Sequence, residues 1–137
     1  MLVDDSHDDN FIHERAIKQQ YLGINIITKT TGEDGLIHLR MTPGNNNLLP
    51  DLIFLDINMP GMNGWEFLKE YDQLEKAMQS KAIIIMLTSS KVTEDMDRAK
   101  QWSFVSDFIT KPLTREKLNV IGRKYFGHPV IPPVVTK

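Results

Sequence analysis

Two short runs of this sequence are apolar at every position, and they constrain the fold more than any other feature. Leu52–Leu55 reads Leu-Ile-Phe-Leu, and Ala82–Leu87 is aliphatic or Met throughout. A strand that is apolar on both faces is typical of a parallel sheet covered by helices on both sides. Three further short apolar runs and five longer amphipathic stretches alternate with these two runs. The order predicts an α/β fold with a parallel sheet and right-handed crossovers.

The predicted elements form five successive β-α units. The expected strands are Met1–Val3, Ile24–Thr28, Leu52–Asp56, Ala82–Thr88 and Phe104–Thr110. The expected helices are Asp8–Gln20, Gly32–Met41, Gly64–Met78, Thr93–Gln101 and Thr114–Tyr125. In the first helix we expect the apolar stripe to consist of Phe11, Ile12, Ala16 and Ile17, and in the second of Leu36, Ile37 and Met41. Thr42–Pro50 is rich in Asn, Pro and Gly, which favours a loop.

Composition excludes several classes of function. The 137 residues correspond to about one domain. There is no cysteine, which removes disulfides, thiolate metal sites and cysteine catalysis. The net charge of -2 gives no reason to expect a nucleic-acid partner. The longest aliphatic run is far shorter than the ~20 residues of a membrane span, and the acidic N-terminus does not resemble a secretory signal. We therefore expect a cytoplasmic protein.

Polar side chains follow most of the predicted strands at the point where each strand ends. Asp4-Asp5 follows the first strand, Asp56 ends the third, Thr88 ends the fourth, and Lys111 follows the fifth. Ligands of an open parallel sheet bind beyond these carboxyl ends. Each residue alone has a plainer interpretation, because Asp before a helix is a common capping residue and the others suit ordinary turns. Their shared position at strand ends indicates a single site.

The predicted site has a clear chemical character. Clustered carboxylates repel one another unless a cation lies among them, and Mg²⁺ prefers oxygen ligands. The charge of the chain is also divided: residues 1–14 hold five acidic residues and no Lys or Arg, whereas residues 111–137 hold six basic residues and one Glu. A metal ion, a lysine, a hydroxyl group and a nucleophilic carboxylate together suggest phosphoryl chemistry.

Residues 1 to about 126 resemble a response-regulator receiver domain of two-component signalling, of the kind found in single-domain chemotaxis regulators. Four segments carry the resemblance: Val3-Asp4-Asp5-Ser6, Leu55–Gly64, Met86–Ser90 and Asp107–Pro112. The resemblance implies a flavodoxin-like, doubly wound (βα)5 sandwich of three layers with strand order 2-1-3-4-5. Residues 127–137, which contain three prolines, are expected to be a tail without an output domain.

The resemblance also implies a role for each matching residue. Asp56 would accept the phosphoryl group. Asp5, Asp56 and the backbone carbonyl of Asn58 would bind Mg²⁺, with Mn²⁺ as a possible substitute, and Asp4 would act through a water molecule. Thr88 and Lys111 would each bind a phosphoryl oxygen.

A switch and its partners follow from the same resemblance. Phe108 occupies the aromatic switch position and would turn inward on activation as Thr88 moves. The Lys111–Pro112 bond is expected to be cis. The phosphoryl donor would be a histidine kinase or a histidine phosphotransfer protein. A downstream target would bind the face formed by the fourth helix, fifth strand and fifth helix, and a homodimer on activation is a further possibility that the resemblance implies.

Departures and alternatives complete the expectations. The first strand is short, so either it is unusual or the natural chain starts upstream. Two other functions stay open: an aspartate-nucleophile phosphatase of the haloacid-dehalogenase class, and a binding module that is not phosphorylated. We expect the four histidines to be solvated surface residues and Trp102 to be a packing residue. Trp65 is expected to lie in the core or over the site loop.

Overall fold

A computed structural model gives the fold and describes residues 1–21, 23–41, 49–79, 82–89 and 93–127. The expected loop at 42–50 therefore lies mostly outside the described residues, as do Ser90, His128 and nearly all of the C-terminal tail. No helix in the described ranges is both long enough and apolar enough to cross a membrane.

The described elements keep the expected β-α order. The strands are β1 (Leu2–Val3), β2 (Thr28–Lys29), β3 (Leu52–Asp56), β4 (Ile83–Thr88) and β5 (Val105–Thr110). The helices are α1 (His7–Gln20), α2 (Gly32–Arg40), α3 (Gly64–Asp72), α4 (Lys76–Gln79), α5 (Thr93–Ala99) and α6 (Arg115–Phe126).

All five strands form one parallel sheet in the order β2-β1-β3-β4-β5, as predicted. The long apolar runs form the central strand β3 and its neighbour β4, where Leu52 to Asp56 pair residue by residue with Ile83 to Leu87. Both faces of these strands are covered, because one buried cluster packs against Ile84 and Met86 and a second packs against Ile85 and Leu87. This double burial explains why the two runs do not alternate with polar residues.

Strand β2 is shorter than predicted. It was expected at Ile24–Thr28, but only Thr28 and Lys29 pair with a neighbour. Its one neighbour is β1, which itself offers only Leu2 and Val3 for pairing. The Ile27 carbonyl accepts from the Leu2 N–H at 2.8 Å and the Lys29 carbonyl accepts from the Asp4 N–H at 3.0 Å, so the hydrogen bonds between the two strands run from Ile27 to Lys29.

The predicted helix Gly64–Met78 is also divided, into α3 and α4. The side chain of Gln79 donates hydrogen bonds to the carbonyl groups of Tyr71, Asp72 and Leu74, at 3.0, 3.2 and 2.6 Å. The Tyr71 hydroxyl donates in return to the Gln79 carbonyl at 2.8 Å. In a continuous helix these carbonyl groups would accept hydrogen bonds from backbone N–H groups. Here they accept from the Gln79 side chain instead, which stabilises the break between α3 and α4.

The apolar stripes predicted for the first two helices are partly wrong. In α1, Phe11 is 67% exposed and Ile12 is 51% exposed, while the buried positions are Asn10, His13, Ile17 and Gln20. In the second helix the prediction is confirmed for Leu36, which is buried, but Ile37 and the C-cap residue Met41 are exposed, and Leu39 is buried in their place. The inward face of α1 is polar where it contacts polar groups: the Asn10 side-chain amide donates to the Asp4 carbonyl at 2.9 Å, and Gln20 binds Asn119 of α6. Between these two contacts Ile17 packs in an apolar cluster with Leu118 and Ile121.

Candidate phosphoryl and metal site

Three carboxylates meet beyond the carboxyl ends of β1 and β3. Carboxylate oxygens of Asp4, Asp5 and Asp56 all lie within 4.8 Å of one another. Asp4 and Asp56 are buried, whereas Asp5 is exposed at the mouth of the cluster. The parallel pairing of Leu2 and Val3 with Phe54 and Leu55 places the ends of the two strands side by side.

Lys111 supplies a cation to this cluster from the end of β5. Its Nζ atom lies 2.7 Å from Asp4 Oδ2, 2.9 Å from Asp9 Oδ2 and 3.3 Å from Asp56 Oδ1. Burial opposes the charged form of the amine, but the contacts with Asp4 and Asp9 more than offset this and raise the pKa of Lys111 above its ordinary value. The lysine therefore carries its positive charge inside the site.

Local backbone structure fixes the position of Lys111. The Lys111 backbone N–H donates to the Thr88 carbonyl at 2.7 Å, which ties the end of β5 to the end of β4. The Lys111–Pro112 peptide bond is cis, as expected. Lys117 of α6 donates to the Thr110 and Pro112 carbonyls and closes the turn from the other side. The sequence pattern gave no reason to single out Lys117.

The loop after β3 is held against the site by a glycine at a close approach. Gly64 begins α3, and its N–H donates to the Ile57 carbonyl at 2.8 Å. A Cβ atom at Gly64 would lie 2.7 Å from the Asp56 carbonyl oxygen, which is too close for any other residue. Asn63 and Glu66 form a reciprocal capping box at the start of the same helix. The helix start and the Asp56 backbone are therefore in direct contact.

The carboxyl group of Asp56 is electrostatically unusual. Burial and the neighbouring Asp4 carboxylate raise the pKa of Asp56 from 3.8 to about 6, against the opposing effect of Lys111. In the same cluster Asp4 Oδ2 is buried 2.7 Å from Lys111 Nζ, so the two buried carboxylates share one ammonium group. Both observations indicate that the site holds more negative charge than one lysine neutralises.

This donor set fits a hard divalent cation. It offers three carboxylates at close range, one of them exposed to solvent, and no nitrogen or sulfur ligand among them. Such oxygen-only sets with an open side suit Mg²⁺, which keeps part of its coordination for water and phosphate. Asn58 lies two residues after Asp56 and is exposed, so it belongs to the same loop.

Two other predicted residues lie at neighbouring strand positions. Thr88 ends β4 and is buried, one step beyond the Asp56–Leu87 pair of the ladder. Phe108 belongs to β5 and pairs with Met86 of β4. Its side chain is half-buried and packs against the larger core cluster. The structure thus places Phe108 at the boundary between the core and the β5 surface.

The histidine prediction is wrong for His13. This residue is 2% exposed, and its Nδ1 atom has no hydrogen-bond partner within the described ranges. It lies one helical turn beyond Asp9, on the buried side of α1. Burial lowers the pKa of His13, and the nearby Lys111 lowers it further. The sequence did not predict that His13 is buried, because the predicted apolar stripe of the first helix placed a different face toward the core.

Asp9 is the other residue that the sequence did not single out. It was one of five acidic residues near the N-terminus, and only the structure shows it bonded to Lys111.

Of the two tryptophans, Trp65 is buried at the start of α3 with the Arg98 guanidinium 4.7 Å from its ring centre. Trp102 packs against Phe104 and the core, as expected for a packing residue.

Comparisons with known proteins agree with this geometry. The family model described as response regulator receiver domain matches residues 1–121. A solved two component response regulator from Cytophaga hutchinsonii is 31% identical, with a TM-score of 0.82, and the alignment covers 93% of this chain and 95% of that one. Protein PilH of Pseudomonas aeruginosa is 27% identical over 86% of this chain and 88% of its own length.

A longer relative matches over only part of its length. The sensor histidine kinase CheAY of Helicobacter pylori is 31% identical over 90% of this chain. The match covers only 14% of that kinase. The chain therefore corresponds to one segment of a much larger protein in that case.

Proposed function

Because the chain belongs to the response regulator receiver domain family, we propose that it accepts a phosphoryl group on Asp56 and acts as a signalling switch. The observation that carries this proposal is the buried Asp56 carboxylate, 3.3 Å from Lys111 and beside two further carboxylates. A nucleophilic carboxylate, a fixed ammonium group and an oxygen-only metal set are the parts that phosphoryl transfer requires.

The proposed reaction transfers a phosphoryl group from a histidine of a kinase or phosphotransfer protein. A carboxylate oxygen of Asp56 attacks the phosphorus atom and forms a P–O bond. The P–N bond to the donor imidazole breaks, its electron pair stays on the ring nitrogen, and that nitrogen takes a proton from solvent. Lys111 and the Thr88 hydroxyl bind oxygens of the transferred group and hold it in place.

The metal is proposed to be Mg²⁺, with Mn²⁺ as a substitute. Asp5, Asp56 and the backbone carbonyl of Asn58 would hold it directly, and Asp4 would act through water. When bound, the ion supplies positive charge that offsets the charge of the phosphoryl group. The protein's own contribution is to gather the carboxylates at one edge of the sheet before the ion and the donor arrive.

The output is proposed to pass through the surface formed by α5, β5 and α6. Movement of Thr88 toward the phosphoryl group would open space beside Phe108, whose ring already lies at the edge of the core. Because Phe lacks a hydroxyl group, this step would depend on packing alone. A downstream protein or a second copy of the chain would recognise the changed surface, and we expect this to occur in the cytoplasm.

Phosphorylation is tested by incubating the protein with Mg²⁺ and acetyl phosphate. We expect intact mass spectrometry to detect one added phosphoryl group that is labile to hydroxylamine, and peptide mapping to place it on Asp56. Asp56→Asn and an EDTA sample should both lack it. A wild-type protein that never gains this group, with either acetyl phosphate or a phosphorylated kinase, would support an unphosphorylated binding module instead. Steady release of phosphate from a simple phosphomonoester, lost in Asp56→Asn, would support a phosphatase.

A further inference from the structure

Lys111 has an acidic partner that lies outside the carboxylate cluster at the strand ends. Its ammonium group donates a hydrogen bond to Asp9 Oδ2 at 2.9 Å. Asp9 belongs to the first turn of α1, so the contact joins the end of β5 to a helix rather than to another strand. An ammonium group has three N–H donors, and the oxygens of Asp4, Asp9 and Asp56 surround it within 3.3 Å. Every donor of Lys111 therefore has a carboxylate beside it.

The three acidic partners differ in their access to water. The side chains of Asp4 and Asp56 are 4% and 5% exposed, whereas that of Asp9 is 37% exposed. A buried carboxylate that loses its cation is left uncompensated, which is costly. A half-exposed carboxylate that loses its cation can be solvated instead. Asp9 is therefore the partner that Lys111 can release most easily when a phosphoryl oxygen requires one of its donors.

From this difference we infer that Asp9 is a positioning residue that holds Lys111 in the unphosphorylated state and competes with the phosphoryl group for it. The inference rests on the proposed function, because it concerns the same lysine and the same phosphoryl group. It predicts that removal of the Asp9 charge favours occupancy of the site by a phosphoryl group or its mimic.

The chain offers a matched control for this residue. Asp8 precedes Asp9 in the same first turn of α1 and is exposed, but none of its contacts joins it to Lys111 among the described residues. Both acids lie where a helix N-terminus favours negative charge, so both substitutions lose the same helix interaction. The cap itself is unaffected, because the Ser6 hydroxyl accepts from the Asp9 backbone N–H at 3.1 Å. Asp9→Asn and Asp8→Asn thus differ mainly in the contact with Lys111.

The binding test titrates beryllofluoride, a phosphoryl mimic, into Mg²⁺-loaded protein and follows tryptophan fluorescence and ¹⁹F NMR. We expect Asp9→Asn to lower the Kd for beryllofluoride about two- to fivefold, as for a partly exposed ion pair. Asp8→Asn should leave the Kd within about twofold of wild type. The Mg²⁺ affinities of the two variants, measured without beryllofluoride, should match each other.

A second measurement needs neither metal nor phosphoryl mimic. In EDTA, Asp9→Asn removes both the attraction to Lys111 and the repulsion from the neighbouring acids in the wild-type background. In a Lys111→Met background it removes only the repulsion, so it should raise the urea midpoint more there. Equal shifts in the two backgrounds would show that Asp9 and Lys111 are not coupled, and would overturn the inference.

The outcomes separate the inference from the proposed function. One outcome is that wild type binds beryllofluoride while Asp9→Asn raises the Kd, or changes the Kd by the same factor as Asp8→Asn. In either case Asp9 does not compete for Lys111, and only the inference is overturned. If wild type does not bind beryllofluoride in the presence of Mg²⁺, the proposed function is wrong, and the inference that depends on it is wrong as well.

Discussion

Replacement of Asp56 by Asn should stabilise the metal-free protein at neutral pH, although it removes the proposed nucleophile. Asp56 is buried beside the carboxylate of Asp4, and Lys111 is shared among three acidic partners. The ionised form of Asp56 is therefore destabilised in the folded state relative to the unfolded chain. Asn has nearly the same shape and an amide oxygen that can still accept from Lys111, so the substitution removes the charge with little change in packing.

The size of the effect follows from the pKa of Asp56. A rise from 3.8 to about 6 means that the unfolded chain loses its proton first as pH increases, so the folded protein loses stability between these two values. At about 1.4 kcal/mol per pKa unit, the free energy of unfolding should be about 3 kcal/mol lower at pH 7 than for an uncharged side chain. At pH 4.5 the folded protein keeps the proton, and the same linkage leaves a difference of about 1 kcal/mol.

The assay is urea unfolding followed by circular dichroism in EDTA, for wild type and Asp56→Asn at pH 7 and pH 4.5. Asp5→Asn serves as the control, because Asp5 belongs to the same cluster but is exposed, and its effect should stay within about 0.5 kcal/mol. Mg²⁺ should reduce or reverse the advantage of Asp56→Asn at pH 7, since a ligand of the folded state stabilises only the protein that binds it. The electrostatic reasoning would be refuted if Asp56→Asn did not raise the free energy of unfolding at pH 7, or if it raised it as much at pH 4.5 as at pH 7.

Two further predictions concern packing and pH. Gly64→Ala should lower the free energy of unfolding by about 1–3 kcal/mol, because its Cβ would lie 2.7 Å from the Asp56 carbonyl oxygen. Gly32→Ala, also at a helix start, should cost less, since its nearest neighbour is the flexible end of the Met62 side chain; equal costs in urea unfolding would contradict the steric explanation. The lowered pKa of His13 means that the unfolded chain takes up a proton first as pH falls below 6.5, so stability decreases there. His13→Gln should weaken this decrease in thermal unfolding between pH 7 and pH 5.5, and an unchanged pH profile would exclude His13 as its source.

The sheet could be predicted in detail because strands β3 and β4 have a local signature. Leu52–Leu55 and Ile83–Leu87 are apolar at successive positions, and burial on both faces is the only common environment for such a run. The strand ends then follow from the topology, so Asp56 and Thr88 could be placed at one edge without knowing a single contact. The end of helix α3 could not be placed in the same way, because it depends on the hydrogen bonds of Gln79, which no periodic pattern encodes.

Helix α1 shows why the remainder of the site could not be predicted. A periodicity argument assumes that a helix buries its apolar residues, yet α1 buries only some of them, because it packs beside the end of β1 and against Asn119 as well as against apolar residues of α6. Its inward face must therefore provide hydrogen-bonding partners, which Asn10 does for the Asp4 carbonyl. Phe11 and Ile12 are left outside as a consequence, and Asp9 is turned toward Lys111 by the same rotation of the helix. The orientation of α1 is thus set in part by polar contacts, and the contact of Asp9 with Lys111 could be recognised only once that orientation was known.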